Sequence, residues 1–316
     1  MHNINKLLDA VLVSGGGGDI GVAIGRILQE LNISNVIGCD VKREHAGECV
    51  FDFFSEAPLA NDDNYFEFLK NAFEQYKVGL FIPTSEAEIK AIFDFGLVNG
   101  ELFGVPVLIT TEKTARIALD KLETANALKV MGVNAPWTEL ATSQPRALPC
   151  IFKPRSGQGS KGLKVVHTLS EAQSLSGSEG YIWQELLLPD DQEFTCGVYR
   201  HATGECRSIL MRRTLSGGFT DKGEVVKDSI IEHYILTIAE ELDVQGAINF
   251  QLRLTNKGPV LFEINPRLSS TVMFRHKLGF TDLVWAIEGI LDLPLSQYQE
   301  PKAGTKFYRG IQEYIK

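Results

Sequence analysis

The sequence predicts an α/β protein: a doubly wound parallel sheet, followed by an α+β unit built from antiparallel hairpins. Three observations lead there. Short apolar strands alternate with amphipathic helices from Ala10 to about Thr110, as parallel sheets require. After Pro149 the pattern changes to strands paired across turns. The chain has 316 residues, and single cores stop growing at about 250–300, so two or three domains are expected.

Ala10–Ser14 reads as the first strand. Ile20, Ala23, Ile24, Ile27, Leu28 and Leu31 share one face of a helix over Ile20–Leu31. Val36–Asp40 is a strand, Tyr65–Tyr76 a helix, Gly79–Pro83 a strand, Glu86–Leu97 a helix and Val107–Ile109 a strand. A single helix over Lys113–Met131 then opens the next unit, with Thr110 or Thr111 as N-cap and Gly132 and Pro136 as stops. Cys150–Lys153 and Leu163–His167 flank a glycine-rich loop. Tyr181–Glu185, Glu193–Arg200 and Cys206–Arg213 follow as strands, Asp228–Leu242 as a helix, and Gly246–Leu254 with Pro259–Ile264 as a strand pair. The change of style sets a boundary near residues 110–115, with divisions expected at 1–110, 111–183 and 184–316.

Composition narrows the function classes. The chain is 44% hydrophobic and 22% charged, and no apolar run approaches the ~18 residues of a membrane span. The opening residues lack a basic flank leading into an apolar stretch, so no signal peptide is expected. A net charge of −9 argues against nucleic acid as partner, because neutralising phosphates takes a basic surface. Five cysteines without CxxC spacing fit reduced thiols and a cytoplasmic location better than zinc or disulfides.

Three segments have chemical potential. In Ser14-Gly15-Gly16-Gly17-Gly18-Asp19-Ile20-Gly21, glycines 16, 18 and 21 form a G-x-G-x-x-G match between strand and helix, and Asp40 ends the next strand 19 residues after Gly21. Those are the parts of a dinucleotide site: close backbone approach to a pyrophosphate, a helix N-terminus and an acid for the ribose. A tight strand-to-helix turn recruits glycines equally well. The loop Lys153-Pro154-Arg155-Ser156-Gly157-Gln158-Gly159-Ser160-Lys161-Gly162 lacks the Walker A order, yet it is suited to laying N–H groups over phosphates, with Lys153 as a point charge. An ordinary hairpin tip has the same composition.

The third segment is Glu263-Ile264-Asn265-Pro266-Arg267. If the preceding hairpin closes between Leu254 and Val260, Gln251 falls opposite Glu263, and Asn265 shares their face. An amide, a carboxylate and a second amide offer oxygen ligands suited to Mg²⁺ rather than zinc, with Arg267 alongside to meet a phosphoryl oxygen. A polar strand end feeding a solvated loop is the alternative.

Taken together, the loop at 153–162, Gln184-Glu185-Leu186-Leu187 with Glu193-Phe194-Thr195, and Phe250-Gln251 with Glu263–Arg267 resemble the ATP-grasp superfamily. The likeness is to the branch similar to the carbamoyl-phosphate synthetase large subunit and biotin carboxylase. It covers about residues 111–280, and the N-terminal part resembles the family's Rossmann-like pre-ATP-grasp domain.

The resemblance implies an ATP- and Mg²⁺-dependent (or Mn²⁺-dependent) carboxylate–amine ligase. Lys121 and Lys153 would contact phosphates, and a loop including Ser156, Gly157, Gly159 and Ser160 would close over them. Main-chain groups of Glu185 and Leu187, in the stretch Gln184-Glu185-Leu186-Leu187, would hold adenine, and Glu193 the ribose. Gln251, Glu263 and Asn265 would bind metal, with Arg267 and Lys153 as the catalytic cations. Gln184 departs from the glutamate that relatives often have.

For the substrate, Arg155, Arg212 and Arg213 are candidates to grip an anion, Ser269 to lie near the acyl acceptor, and Glu86 to bind an ammonium. A nucleotide-sugar acid with its diphosphate on Gly16, Gly17 and Gly18 is one version, as in surface polysaccharide synthesis. Partners are small molecules, and a homodimer is compatible. The competing classes are an NAD-dependent oxidoreductase using the glycine fingerprint and a non-catalytic ATP-binding module.

Overall fold

The computed structural model describes residues 4–157 and 162–315. Four strands form a parallel sheet near the N-terminus: β1 (Ala10–Ser14), β2 (Asn35–Asp40), β3 (Phe53–Glu56) and β4 (Leu80–Ile82), in the order β3-β2-β1-β4. Every residue of β1 is buried, as expected of a central parallel strand covered on both faces. The intervening helices are α1 (Asp19–Glu30), α2 (Tyr65–Tyr76) and α3 (Glu86–Phe95). The apolar face of α1 is the one expected, with Ala23, Ile24, Ile27 and Leu28 buried. Ser85 and Glu88 close a reciprocal capping box at the start of α3. That cap fixes the direction in which Glu86 leaves the helix.

The expected strand at Val107–Ile109 shrinks to a bridge from Val107 to Phe81, because the chain first forms a short hairpin, β5 (Glu101–Leu102) and β6 (Val105–Pro106). The single helix expected over Lys113–Met131 is instead two, α4 (Glu112–Ala118) and α5 (Lys121–Val130). Asp120 causes the break. Its carboxylate accepts from the N–H groups of Leu122 and Glu123, and the Lys121 N–H leaves the helix to reach the Arg155 carbonyl at 3.0 Å. Thr111 is the N-cap of α4.

A four-stranded antiparallel sheet follows: β7 (Thr138–Leu140), β8 (Cys150–Pro154), β9 (Lys164–Val166), then α6 (Leu169–Leu175) and β10 (Tyr181–Glu185), in the order β7-β10-β8-β9. The largest sheet comprises β11 (Glu193–Arg200), β12 (Cys206–Ser216), β13 (Phe219–Val226), β14 (Gly246–Thr255), β15 (Gly258–Asn265) and β16 (Lys306–Tyr308). Its order is β15-β14-β11-β12-β13-β16, all antiparallel. Helix α7 (Ser229–Glu241) covers one face through Ile231, Ile235 and Ile238; α8 (Val272–Lys277) and α9 (Asp282–Ile290) follow β15. Among the described residues no helix is long and apolar enough to cross a membrane.

Candidate active site

A cleft of about 930 Å³ is lined by residues of both antiparallel sheets and the start of α1, within the range of small-molecule sites. Its floor is the β14–β15 pair. Gln251 stands opposite Glu263, as expected from the sequence, and Asn249 stands opposite Asn265. The hairpin closes one residue away from the expected point, with Leu254 opposite Pro259. A bulge between the Gln251 and Leu252 pairs, at Phe262, restores the register. Consecutive strand residues normally point to opposite faces, but here both Phe262 and Glu263 line the cleft. Phe262 lies beneath Lys153, whose Nζ is 5.7 Å from the ring centre.

The donor set fits a hard divalent cation. Glu263 makes no side-chain hydrogen bond among the described residues, which leaves its carboxylate oxygens open to a cation in the cleft. Gln251 Oε1 accepts from Arg213 Nη2 at 2.9 Å. Among the described residues no three His, Cys, Asp or Glu side chains group so as to hold a metal ion.

Around this floor the cations converge. Lys153 is buried on β8, and desolvation with Lys121 nearby pulls its pKa down to about 8 against the opposing pull of Glu263. The α4–α5 break puts Lys121 in a first helical turn, where its Nζ donates to the Gly157 carbonyl at 2.7 Å. Ser156 and Gly157 line the cleft, whereas Gly159 and Ser160 lie outside the described residues. Arg267 is held below its usual pKa by burial, offset by Glu86, Glu263 and Asp19. Burial pushes Glu86 up, opposed first by Arg267.

The stretch from Gln184 to Leu187 lines the cleft, with Gln184 Nε2 donating to Thr138 Oγ1 at 3.0 Å. The Glu185 N–H is committed to the Trp137 carbonyl at 2.9 Å, and the Leu187 carbonyl accepts from Arg253 Nη1. Glu193 is more heavily engaged than the sequence suggests. Oε1 takes Arg213 at 2.8 Å and Oε2 takes Arg253 at 2.7 Å.

Several expected substrate residues stand elsewhere. Arg155 turns to the start of α5, where Asp120 and Glu123 carry the opposite charge; its Nη2 lies 2.7 Å from Asp120 Oδ2. Arg212 alternates away from its neighbour Arg213 on β12 and pairs with Glu224. Arg213 is in the cleft but grips protein groups, Glu193 and Gln251. Ser269 lines the cleft and donates to Asn249 Oδ1, while Glu86 stands 3.6 Å from Arg267.

The glycine turn is filled from within. The N–H groups of Gly16, Gly17 and Gly18 go to the Cys39 carbonyl, Asp40 Oδ2 and the Gly15 carbonyl. The His45 ring covers Gly17 so closely that a Cβ there would lie 2.3 Å from Nε2, and Gly47 sits as tightly on Gly16. Asp40, needed for a ribose, instead caps Gly17 and Val41. The dinucleotide reading, and the diphosphate role of Gly16–Gly18, lose the donors they depend on.

Sequence reasoning missed Asp19, Arg253 and the β12–β13 turn at Gly217, Gly218 and Phe219, all of which line the cleft. Consecutive glycines at 217 and 218, both with positive φ, were the available signal for the turn. The others had none, because tertiary contacts bring them in.

Residues 184–310 match the family described as ATP-grasp in the biosynthetic pathway with Ter operon. The match covers the largest sheet and the helices that follow it. The fold of the whole chain is similar to N5-carboxyaminoimidazole ribonucleotide synthetase from Thermus thermophilus, with a TM-score of 0.71 and 18% identity over 94% of this chain and 81% of that one. It is also similar to L-amino acid ligase from Bacillus licheniformis, with a TM-score of 0.68 and 16% identity over 89% and 74%. Biotin carboxylase from Campylobacter jejuni gives 0.70 and 13% identity over 95% and 74%. Each likeness covers 89% or more of this chain and so takes in its parallel sheet as well as its antiparallel sheets.

Proposed function

We propose that this protein is an ATP-grasp ligase that uses ATP and Mg²⁺ to activate a carboxylate as its acyl phosphate and couples it to an amine. The products are an amide, ADP and phosphate. The supporting observation is that Gln251, Glu263 and Asn265 meet Lys121, Lys153 and Arg267 at one cleft. The names of the similar structures, a ribonucleotide synthetase and an amino acid ligase, point the same way.

The substrate carboxylate attacks the γ-phosphorus of ATP, ADP leaves, and the amine displaces phosphate from the acyl carbon. Two anions must approach for the first step, so neutralising their charge is the main catalytic task. Lys153 and Lys121 supply cations toward the phosphates, and Arg267 meets the phosphoryl group in transit. Gln251, Glu263 and Asn265 would hold Mg²⁺ (or Mn²⁺), which supplies Lewis-acid charge stabilisation when bound. The loop after Lys153 excludes water, since acyl phosphates hydrolyse. Glu193 orients the ribose while Arg213 and Arg253 hold it rigid.

The division at 1–110, 111–183 and 184–316 belongs to this reading, with adenine between the second and third parts. ATP as co-substrate and free cysteines at 39, 49, 150, 196 and 206 fit the cytoplasm.

The test is ADP release over a matrix of carboxylates and amines, with Glu263→Ala as blank. Release from the parent with one pair, and not from the variant, is expected. A variant as fast as the parent would remove the metal site from the reading. A parent that binds Mg-ATP but releases ADP with no pair would be a binding module instead.

A further inference from the structure

We infer that Asp19 and Arg309 form a subsite for an acceptor amino acid, its ammonium on Asp19 and its carboxylate on Arg309. This rests on the ligase reading above and adds the class of acceptor.

Asp19 opens α1 and Arg309 follows β16, so the pair joins segments near opposite ends of the chain. Arg309 Nη1 lies 3.6 Å from Asp19 Oδ2, beyond hydrogen-bond length, and that oxygen is buried without a hydrogen-bond partner. A buried carboxylate oxygen left without a donor is costly unless a ligand supplies one. The guanidinium cannot easily move to close the gap. Nε donates to the Thr220 carbonyl at 2.8 Å, Nη2 to the Ser270 carbonyl at 2.7 Å, and the group stacks 5.2 Å from the Phe274 ring centre. Nη1 is thereby left facing the acid.

Both Asp19 and Ser270 line the cleft, and Arg267 feels the charge of Asp19. The subsite therefore lies at the phosphoryl end. A simple amine would satisfy Asp19 and leave Arg309 facing only its loose acid. A zwitterion satisfies both, each end matched to a fixed opposite charge. Ile20 and Phe219, next in sequence to Asp19 and Thr220, line the same cleft and offer apolar surface to a side chain.

The test compares ADP release with an α-amino acid, its carboxamide and its decarboxylated amine, using whichever carboxylate the parent accepts. The parent is expected to favour the amino acid by about tenfold or more in kcat/KM, the size of one lost charge-assisted hydrogen bond. Arg309→Met should erase that preference, and Asp19→Asn should raise KM for all three amines while leaving KM for ATP unchanged. Arg309→Lys, which keeps the charge and loses the fork, should retain part of the preference. Equal use of the decarboxylated amine by the parent overturns the subsite but not the ligase. So does a uniform loss for all three acceptors in Arg309→Met with a matching fall in Tm, the mark of a mere strut. No ADP release with any pair overturns both.

Discussion

Glu86 Oε1 stands 3.6 Å from Arg267 Nη2, although one residue opens a helix of the N-terminal sheet and the other follows the last strand of the cleft floor. The two reach each other across the boundary between these parts, and both are nearly buried. Glu86→Gln keeps the shape and removes the charge that offsets Arg267's burial. With the acid gone, Arg267 is expected to interact more strongly with Glu263. Steady-state kinetics should show kcat/KM for the carboxylate lowered by about tenfold or more, with KM for ATP within about twofold. An unchanged carboxylate kcat/KM would show that the pair is structural only.

Lys153 gives a pH signature. Its pKa falls from 10.5 to about 8 in the fold, so between those values the unfolded chain binds more protons than the folded one. Stability from this group therefore rises with pH across that window. Polyphosphate beside the amine favours its charged form, so binding of Mg-ATP at pH 8–9 is expected to take up a proton. Calorimetry in two buffers of different ionisation enthalpy measures it, and Lys153→Met should abolish the difference.

Arg213 bridges Glu193 and Gln251, with its side chain only 7% exposed. Arg213→Met leaves Glu193 with Arg253 alone. Breaking a buried pair costs about 3–5 kcal/mol, and retention of Arg253 should bring the loss to about 2 kcal/mol. Denaturant unfolding measures that, while KM for ATP is expected to rise because Glu193 and Gln251 lose a common anchor. A variant as stable as the parent would refute the role of the bridge.

The glycine turn yields a contrast between neighbours. A Cβ on Gly17 meets His45 at 2.3 Å, whereas one on Gly18 meets nothing nearer than the Gly15 carbonyl at 3.3 Å. Gly17→Ala should cost about 1–3 kcal/mol, as overpacking usually does, and Gly18→Ala less than about 1 kcal/mol. In the same melts, Mg-ATP at a hundred times its Kd should add about 2.7 kcal/mol and NADH nothing. Stabilisation by NADH would restore the dinucleotide reading.

These residues also show what was legible in advance. The alternation of strands and helices up to Thr110 was visible because each buries a regular apolar face; α1 buries Ala23, Ile24, Ile27 and Leu28 of the expected face and leaves Ile20 and Leu31 half-buried at its ends. The Gln251–Glu263 pairing was reached although the assumed turn was one residue out, since the bulge at Phe262 compensated for it. The α4–α5 break was not seen, because apolar spacing runs on through Leu119 and only the Asp120 side chain interrupts it. β13 and β16 escaped as edge-side strands with little apolar alternation. The orientations of Arg155 and Arg212 depend on Asp120, Glu123 and Glu224, and no local rule pairs them.

Strand β16 joins the great sheet at its far edge, and Arg309 just beyond it reaches back to α1. In order of synthesis, Asp19 emerges from the ribosome almost three hundred residues before its counterpart. The N-terminal sheet and the strands of the cleft floor are complete in sequence while that partner is still untranslated. A nascent chain halted after β15 would therefore hold the floor of the cleft but lack one wall. Such a fragment also lacks α8 and α9, whose Val272, Leu283 and Trp285 belong to the same core as Ile24 and Ile27 of α1.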